Sequence, residues 1–234
     1  PLMPSPIIHA QDLSFRHPEG DFCLRVPSLQ VQPNESVALT GPSGCGKTTL
    51  LSLIAGSLQA NEGQLEVLGQ DQTGATEPER RALRLDRIGM VFQEFRLLDY
   101  LCARDNVLLP LLLANKSIDD RARHKADELL TAVGISHVAL RRPAALSQGE
   151  RQRVAICRAL LMDPALVLAD EPTGSLDSKR GAEVLDLLLA VCNERGASLV
   201  LVTHDKSLLP RCDRVIDANA FSAGPEFNRP ESIR

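Results

Sequence analysis

The segment GPSGCGKT, residues 41–48, has the residue types and the spacing of a loop that binds phosphate. It satisfies the pattern G-x-x-x-x-G-K-[ST], in which glycine permits positive φ and lets backbone N–H groups approach phosphate closely. The helix that follows adds its dipole, Lys47 brings a cation to the β- and γ-phosphates, and Thr48 offers a hydroxyl to Mg²⁺. The sequence therefore predicts nucleotide binding, with these contact residues: Gly41, Pro42, Ser43, Gly44, Cys45, Gly46, Lys47, Thr48 and Thr49.

Two carboxylates end the apolar segment LVLADE, residues 166–171. Because desolvating a carboxylate is expensive, paired acids at the end of a buried strand indicate a partner, although two solvated residues at a sheet edge are the plainer alternative. We expect Asp170 to hold the Mg²⁺ shell and Glu171 to polarise the attacking water.

His204 and Gln93 end the segments SLVLVTH and IGMVFQ in the same way. We expect His204 to contact the γ-phosphate or the water, and Gln93 to reach the metal or the water.

A second helix start lies in LSQGE, residues 146–150. Ser147 and Glu150 form the S-x-x-E pattern of a capping box. A cap does not explain Gly149, which together with Ser147 leaves an uncluttered N-terminus able to bind an anion. One triphosphate does not easily fill two distant anion sites in one chain. We therefore expect two chains to face each other, each presenting its second helix start to the nucleotide of the other.

An alternation of strands and helices is expected to position these residues. Apolar strands that alternate with helices predict a mostly parallel sheet, which binds ligands beyond the carboxyl ends of its strands. Short apolar runs broken by Pro-Glu-Gly and Pro-Asn-Glu predict antiparallel strands near the start of the chain. The section 94–145 is expected to be mainly helical, with Ser117 as the cap of one helix.

The composition narrows the possible functions. A formal net charge of −4 predicts no broad attraction to nucleic acid or to anionic lipid. The six cysteines include no CxxC pair, which indicates reduced thiols in a cytosolic protein rather than a zinc site. The most apolar run, residues 107–114, is far shorter than the roughly 20 residues that span a bilayer. We therefore expect any membrane role to come through a partner.

The set of motifs GPSGCGKT, LSQGE, LVLADE and SLD (residues 175–177), together with Gln93 and His204, resembles the ATPase domain of ABC transporters across about residues 7–218. The resemblance implies an α/β fold: a P-loop NTPase with a RecA-like parallel sheet core, an N-terminal antiparallel β subdomain and an inserted helical subdomain at about 94–145. It also implies a single ABC ATPase domain over residues 7–220, followed by a disordered tail at 221–234.

The same resemblance implies ATP and Mg²⁺ as cofactors and a homodimer in the ATP-bound state, with Asp177 at the dimer seam. The helical subdomain would contact integral membrane permease subunits, and no nucleic acid partner is expected. The protein would be cytoplasmic, held peripherally on the inner face of the cell membrane through the permease. The resemblance implies three catalytic residues: Glu171, His204 and Lys47. It implies Thr48, Gln93 and Asp170 as metal ligands. The nucleotide would be contacted by the phosphate loop, Gln93, His17, Ser147, Gln148, Gly149 and Asp177.

Three further segments narrow the resemblance to a subfamily, and two residues depart from the pattern of the family. The segments ADEPTGSLD, GERQRVAICRAL and RLLDYLCARDNVLLPLL resemble the ATPases of lipoprotein-release, macrolide-export and division-associated systems. Where the family signature is usually Leu-Ser-Gly-Gly, Gln148 replaces the first Gly and adds a side chain that would alter nucleotide affinity or rate. Where the family usually places an aromatic residue near adenine, this chain has His17. Because imidazole stacks more weakly than a tyrosine ring, we expect loose base selectivity, with GTP also hydrolysed.

Two classes of function remain open on the sequence alone. The first is an enzyme: an ATPase subunit that couples ATP-driven dimer closure and hydrolysis to conformational work by a transmembrane permease of the lipoprotein-release or export type. The second is a regulatory ATP-binding module that recruits or gates a membrane partner with slow hydrolysis, as in cell division. The complete set Glu171, His204 and Lys47 favours the enzyme. A DNA-repair or translation ATPase usually needs two cassettes or long coiled-coil arms, and a small-molecule kinase would not explain the second helix start.

Overall fold

Two sheets form the frame of the computed structural model, which describes residues 5–18, 22–174 and 178–223. In chain order the strands are β1 (Ile8–Arg16), β2 (Cys23–Val31), β3 (Ser36–Thr40), β4 (Glu62–Val67), β5 (Gln70–Asp71), β6 (Ile88–Val91), β7 (Leu166–Asp170), β8 (Ser198–Val202), β9 (Arg214–Asp217) and β10 (Ser222–Ala223). One sheet has the order β6–β7–β8–β3–β9, and all its neighbouring strands are parallel. The other has the order β10–β2–β1–β4–β5 and is antiparallel. The parallel core and the antiparallel N-terminal sheet are the architecture expected from the motifs.

Six α-helices surround these sheets in the described part of the chain. They are α1 (Lys47–Ile54), α2 (Glu77–Arg87), α3 (Ala103–Leu113), α4 (Asp120–Ala132), α5 (Gln148–Leu160) and α6 (Ser178–Glu194). Within the described residues, none of these helices combines the length and the apolar character that crossing a bilayer requires.

The parallel sheet is buried on both faces. Alternate residues of β7 and β8 enter two different apolar clusters: Leu168 and Val200 lie in the cluster shared with α1 and the antiparallel sheet. Val167 and Leu201 lie in the cluster shared with α3, α4, α5 and α6. This separation follows from the two-residue period of a strand, which sends successive side chains to opposite faces. The two central strands are therefore fixed in register by apolar packing from both sides.

The section 94–145 contains helices α3 and α4, as expected, but its first helix begins only at Ala103 and α4 is capped at a different residue. Helix α4 starts after Asp119, whose carboxylate accepts a hydrogen bond of 2.8 Å from the backbone N–H of Ala122. The expected cap at Ser117 is therefore wrong by two residues. Aspartate caps a helix as well as serine does, so the sequence offers two equivalent caps and the packing of the helix selects between them.

The folded part of the chain extends beyond the expected domain end at residue 220. Phe221 is buried against the antiparallel-sheet cluster, and β10 pairs with β2, with Ser222 opposite Arg25. The disordered tail expected at 221–234 is therefore corrected for residues 221–223, because this short strand completes the edge of the antiparallel sheet. The remainder of the expected tail, residues 224–234, lies outside the described residues.

Asn106 anchors the loop that joins β6 to α3. Its side chain is fully buried, its Oδ1 accepts from the Leu98 N–H at 2.7 Å, and its Nδ2 lies within 3.1–3.2 Å of the carbonyl oxygens of Leu98, Leu101 and Cys102. One side chain therefore provides partners for four backbone groups of this loop. A loop of this kind has no sheet or helix partners for its N–H and C=O groups, so a buried amide replaces them.

We expect Asn106→Ala to lower the free energy of unfolding by about 3 kcal/mol, because it leaves buried backbone groups without partners. Urea denaturation measures this change. Asn193→Ala, at an exposed position on α6, is the matched control and is expected to stay within about 0.5 kcal/mol of wild type. Equal stabilities for the two variants would show that Asn106 does not hold the loop.

Candidate nucleotide-binding and catalytic site

The predicted site residues leave the parallel sheet at one edge. Strand β8 lies between β3 and β7, so the phosphate loop after β3, the acids at the end of β7 and His204 after β8 come from three neighbouring strands. Val91 of β6 lies opposite Ala169 of β7. Gln93 and Glu171 each follow this pair by two residues, so they leave neighbouring strands at the same level of the sheet. Ligands of open parallel sheets bind at this carboxyl edge. The sheet therefore brings together residues that lie more than a hundred positions apart in the chain.

The phosphate loop turns tightly between β3 and α1. Gly46, the residue before α1, has a φ of 92°, and a Cβ atom added there would lie 2.8 Å from Cδ1 of Leu24. Only glycine accepts this φ and this contact without strain. Pro42, Ser43 and Gly44 at the tip of the loop are exposed. The loop thus presents an open backbone concavity, the form in which N–H groups hold phosphate oxygens.

Lys47 is held over this loop. Its side chain is buried, and its Nζ donates hydrogen bonds to the carbonyl oxygens of Gly41 at 2.8 Å and Pro42 at 2.7 Å. The sulfur of Cys45 lies 3.6 Å from the same nitrogen. The ammonium group is therefore fixed at the base of the loop by the loop itself, close to where phosphates would lie.

Asp170 lies beside the start of α1. The Thr48 side chain hydrogen-bonds it, so the two predicted metal ligands are in contact. Burial raises the pKa of the Asp170 carboxyl, the Thr48 hydrogen bond opposes this rise, and the neighbouring Glu171 adds to it. A half-buried carboxylate of this kind favours a nearby cation, because a positive charge would restore its ionised form.

Glu171 and His204 form a close polar pair in the site. Glu171 Oε2 lies 2.5 Å from His204 Nδ1, and the histidine ring is 65% exposed whereas the glutamate side chain is 21% exposed. An ionised carboxylate only accepts, so the tautomer of His204 that carries the proton on Nδ1 is the one that donates to an ionised Glu171. Glu171 also has a φ of 45°, in the left-handed region, and its N–H donates to Val202 O at 2.9 Å. This bond to β8 holds the strained residue in place.

Gln93 reaches the same place from β6. A Cβ atom built on Gly174 would lie 3.3 Å from Glu171 Oε2 and 3.4 Å from Gln93 Nε2, so both side chains border one glycine. Gln93 is exposed, and the residue before it, Phe92, accepts a hydrogen bond of 3.1 Å from the Phe95 N–H. The amide thus belongs to a turn at the edge of the sheet, beside the predicted general base.

The second helix start is formed as expected. Ser147 caps α5 in a complete capping box: its oxygen accepts from the Glu150 N–H at 3.3 Å, and its own N–H and hydroxyl each donate to Glu150 Oε2 at 2.7 Å. The hydrogen bond from the Ser147 side chain lowers the pKa of the Glu150 carboxyl. Ser147 and Gln148 are exposed, and a Cβ atom added to Gly149 would meet nothing within 4 Å. Packing within this chain therefore does not require glycine at position 149.

His17, an expected nucleotide contact, follows the antiparallel strand β1 and not a strand of the parallel sheet. His17 is exposed near the end of the antiparallel strand β1, with its ring centroid 6.4 Å from that of Phe15 and its N–H donating to Phe22 O at 3.0 Å. Asp177, expected at the dimer seam, lies outside the described residues.

Arg158 is a buried cation that the sequence motifs do not single out. It lies in the last turn of α5, is 8% exposed, and donates to backbone carbonyl oxygens of the segment just after Gln93. One indication of its burial is present in the sequence. In VAICRAL, residues 154–160, Arg158 is a charged residue among apolar residues that pack against the rest of the protein.

The fold and the site together define a P-loop nucleotide-binding domain. More narrowly, the chain belongs to the ABC transporter family, whose model matches residues 24–174. The family and the fold expected from the motifs are thereby confirmed.

Named relatives and a solved structure agree with this assignment. The lipoprotein-releasing system ATP-binding protein LolD 1 of Rhodopirellula baltica is 46% identical over 79% of this chain and 80% of that protein. The macrolide export ATP-binding/permease protein MacB of Syntrophobacter fumaroxidans is 40% identical over 90% of this chain but only 30% of that longer protein. An ATP-binding cassette solved as a dimer in a post-hydrolysis state with ADP and Pi superimposes with a TM-score of 0.77 and 32% identity, covering 90% of this chain and 93% of that chain.

Proposed function

We propose that this chain is the ATP-hydrolysing subunit of a membrane complex of the lipoprotein-release or export type. In that role it couples ATP-driven dimer closure and hydrolysis to conformational work by a permease. The observation that carries the proposal is the meeting of the phosphate loop, Asp170, Glu171, His204 and Gln93 at one edge of the parallel sheet. The names of the relatives LolD 1 and MacB support the type of complex.

In this proposal the loop from Gly41 to Thr49 binds the phosphates of ATP. Backbone N–H groups and the start of α1 supply the dipoles, and Lys47 supplies the charge. Because its ammonium group is already held at the loop, little rotamer entropy remains to be lost when phosphate oxygens replace the carbonyl oxygens as acceptors.

The residues present fit a Mg²⁺ ion. Thr48 and Asp170 are in contact, and their oxygens are hard donors of the kind that Mg²⁺ prefers beside substrate phosphates. Gln93, whose amide borders Gly174 together with Glu171, is the proposed third ligand. Burial raises the pKa of the Asp170 carboxyl, and a cation bound beside it would stabilise its ionised form. Bound there, Mg²⁺ would neutralise charge on the phosphates.

Glu171 is the proposed general base and His204 its partner. The carboxylate polarises the attacking water, and the histidine, 2.5 Å away, holds the carboxylate and presents its other nitrogen to the γ-phosphate or the water. The strained backbone at Glu171 is held by the hydrogen bond from its N–H to Val202 O of β8.

A second copy of the chain completes each site. The proposed contacts are Ser147, Gln148 and Gly149 of the partner, reaching the nucleotide held by the phosphate loop. The exposure of Ser147 and Gln148 and the open space at Gly149 support this, because a backbone approached by another molecule needs no side chain in the way. The dimeric ADP-bound neighbour structure supports it as well. Asp177 at the dimer seam and Gln148 as a modifier of affinity or rate stay predictions.

The permease is proposed to bind at an apolar groove of about 250 Å³, which we define by Leu85, Ile88, Met90, Phe92, Leu109 and Met162. The groove lies between β6 and helix α3, so it borders the helical section expected to face the membrane partner. Leu113 also lines the groove and is 47% exposed, and its neighbour Leu112 is 53% exposed. An apolar segment of a permease would cover these side chains and would hold the protein at the inner face of the membrane.

Co-purification from detergent-solubilised membranes, followed by ATPase assays with and without the captured permease, tests this function. We expect Mg²⁺-dependent turnover that the permease changes and that Lys47→Ala abolishes. A complex that retains bound ATP without turnover, at the level of Lys47→Ala, would contradict the enzyme and favour a regulatory ATP-binding module.

The base selectivity of the site follows from His17. We expect the wild type to hydrolyse GTP at a rate comparable to ATP, because an exposed imidazole stacks weakly on either base. His17→Tyr should lower the KM for ATP by strengthening stacking, and His17→Phe controls for the added hydroxyl. A strong preference of the wild type for ATP in parallel turnover assays would count against this assignment.

A further inference from the structure

We propose that Arg158 is a positioning residue that sets the orientation of Gln93 by holding the turn on which Gln93 lies. The inference rests on the proposed function, in which Gln93 contacts the metal or the attacking water. Arg158 itself lies at the far end of α5 from Ser147 and does not belong to any of the motifs that bind nucleotide.

Two short hydrogen bonds join Arg158 to this turn. Its Nη2 donates to Phe95 O at 2.5 Å, and its Nη1 donates to Arg96 O at 2.6 Å. The Phe95 N–H bonds back to Phe92 O at 3.1 Å, so Gln93 occupies the first central position of a four-residue turn. Fixing Phe95 therefore fixes the closing residue of the turn that carries Gln93.

The backbone that Arg158 holds is strained. Phe95 has a φ of 58° and Arg96 a φ of 48°, both in the left-handed region, which costs roughly 1–2 kcal/mol per ordinary residue. Two strained residues in succession persist only where surrounding contacts hold them. The fork of the guanidinium group supplies two donors at a fixed spacing, which matches two consecutive carbonyl groups.

The charge on Arg158 makes these carbonyls necessary partners. Burial lowers the pKa of the guanidinium group to about 10, and the nearby Arg96 adds to this effect. At neutral pH the group is nevertheless charged, and a buried cation needs strong acceptors. The two hydrogen bonds therefore stabilise both partners. The carbonyl oxygens of Phe95 and Arg96 solvate the buried cation, and the cation holds the strained turn in place.

A double-mutant cycle between Arg158 and Gln93 tests the inference. Arg158→Met keeps the volume of the side chain and removes both donors. We expect Arg158→Met and Gln93→Ala each to lower kcat about 10–100-fold with little change in nucleotide binding, and the double variant to be no slower than the slower single variant. Arg158→Lys, which keeps a charge and one donor, should recover part of the loss.

Arg153→Met is the matched control. Arg153 lies on the same helix and also donates to a backbone carbonyl, that of Val133 at 2.6 Å, but Val133 is the C-terminal cap of α4 and is not part of the turn. We expect its loss to affect thermal stability and to leave kcat within about twofold of wild type. A kcat loss in Arg153→Met equal to that in Arg158→Met would show that any disturbance of α5 suffices, and would overturn the inference.

Amide hydrogen exchange separates this inference from the proposed function. In Arg158→Met the amides of residues 94–97 should exchange at least tenfold faster than in wild type, and in Arg153→Met they should not. If wild type has no turnover, the proposed function fails, and exchange still reports whether Arg158 holds the turn. Three results would each overturn the positioning role. They are unchanged exchange in Arg158→Met, an unchanged kcat in Arg158→Met, and a loss of kcat in the double variant that equals the product of both single losses. If Arg158→Met does not fold, Arg158→Lys is carried through the same measurements.

Discussion

Glu171→Gln is expected to lower kcat by about 10²–10⁴-fold while ATP binding is retained. The amide is nearly isosteric and still accepts a hydrogen bond from His204 Nδ1, so the geometry of the pair at 2.5 Å is kept. The amide cannot accept a proton from water, and therefore the chemical step is the part that is lost. In the proposed cycle hydrolysis parts the two copies, so the variant should accumulate as an ATP-bound dimer.

Size-exclusion chromatography with saturating ATP and Mg²⁺ measures the dimer, and phosphate release measures the rate. Glu66→Gln, at an exposed position on β4, removes the same charge far from the site and should behave as wild type in both assays. A Glu171→Gln protein that stays monomeric under these conditions would count against nucleotide shared between two copies. Turnover near that of wild type would remove Glu171 from the role of base.

Ser147→Arg is expected to abolish turnover while leaving ATP binding by the monomer nearly intact. The substitution places a long side chain and a charge where the partner's nucleotide is proposed to lie, but it leaves the phosphate loop of its own chain untouched. It also removes the cap of α5, which costs about 1 kcal/mol of stability. Ser147→Thr, which keeps a capping hydroxyl, should retain most of the activity. Fluorescent-nucleotide titration and phosphate release measure the two effects separately.

Mixing two inactive variants distinguishes a shared site from damage within one chain. In a dimer of Ser147→Arg with Lys47→Ala, one site carries both substitutions and the other carries neither. An equal mixture should therefore recover about a quarter of wild-type turnover, because half of the dimers are mixed and each has one intact site of two. No recovery in a mixture shown to contain mixed dimers would contradict the assignment of Ser147 to the opposite nucleotide.

The sequence predicts the parts of this molecule whose chemistry is local. The bounds of β3, the start of α1 and the capping box of α5 follow from residues within a few positions of each other, and the structure places them as expected. The carboxyl edge is also predictable, because parallel strands point one way and their last residues meet. Thus Glu171 and His204 are expected to be neighbours, although 33 positions separate them.

Contacts that depend on packing between elements are not predictable in the same way. Three features depend on which elements pack against each other. They are the choice of Asp119 over Ser117 as the cap of α4, the pairing of β10 with β2, and the hydrogen bonds from Asn106 to its loop. Arg158 is the clearest case, because an arginine in a basic helix looks like a solvated residue until the helix is placed. The positive φ of Phe95 and Arg96 has no signal in the sequence, since neither is a residue that favours that region.

The order of the parallel sheet has a consequence for how the protein is made. Strand β8, residues 198–202, is inserted between β3 and β7, although both of these strands leave the ribosome before it. A nascent chain that ends before residue 198 has the phosphate loop and both acidic residues but lacks the strand that separates and aligns them. Strands paired over such long sequence distances assemble late and slowly. Competence to bind Mg²⁺ with ATP should therefore arise abruptly once β8 has been synthesised, and truncations upstream of β8, which also lack β9, should expose both edges of β3 and one edge of β7 to chaperones.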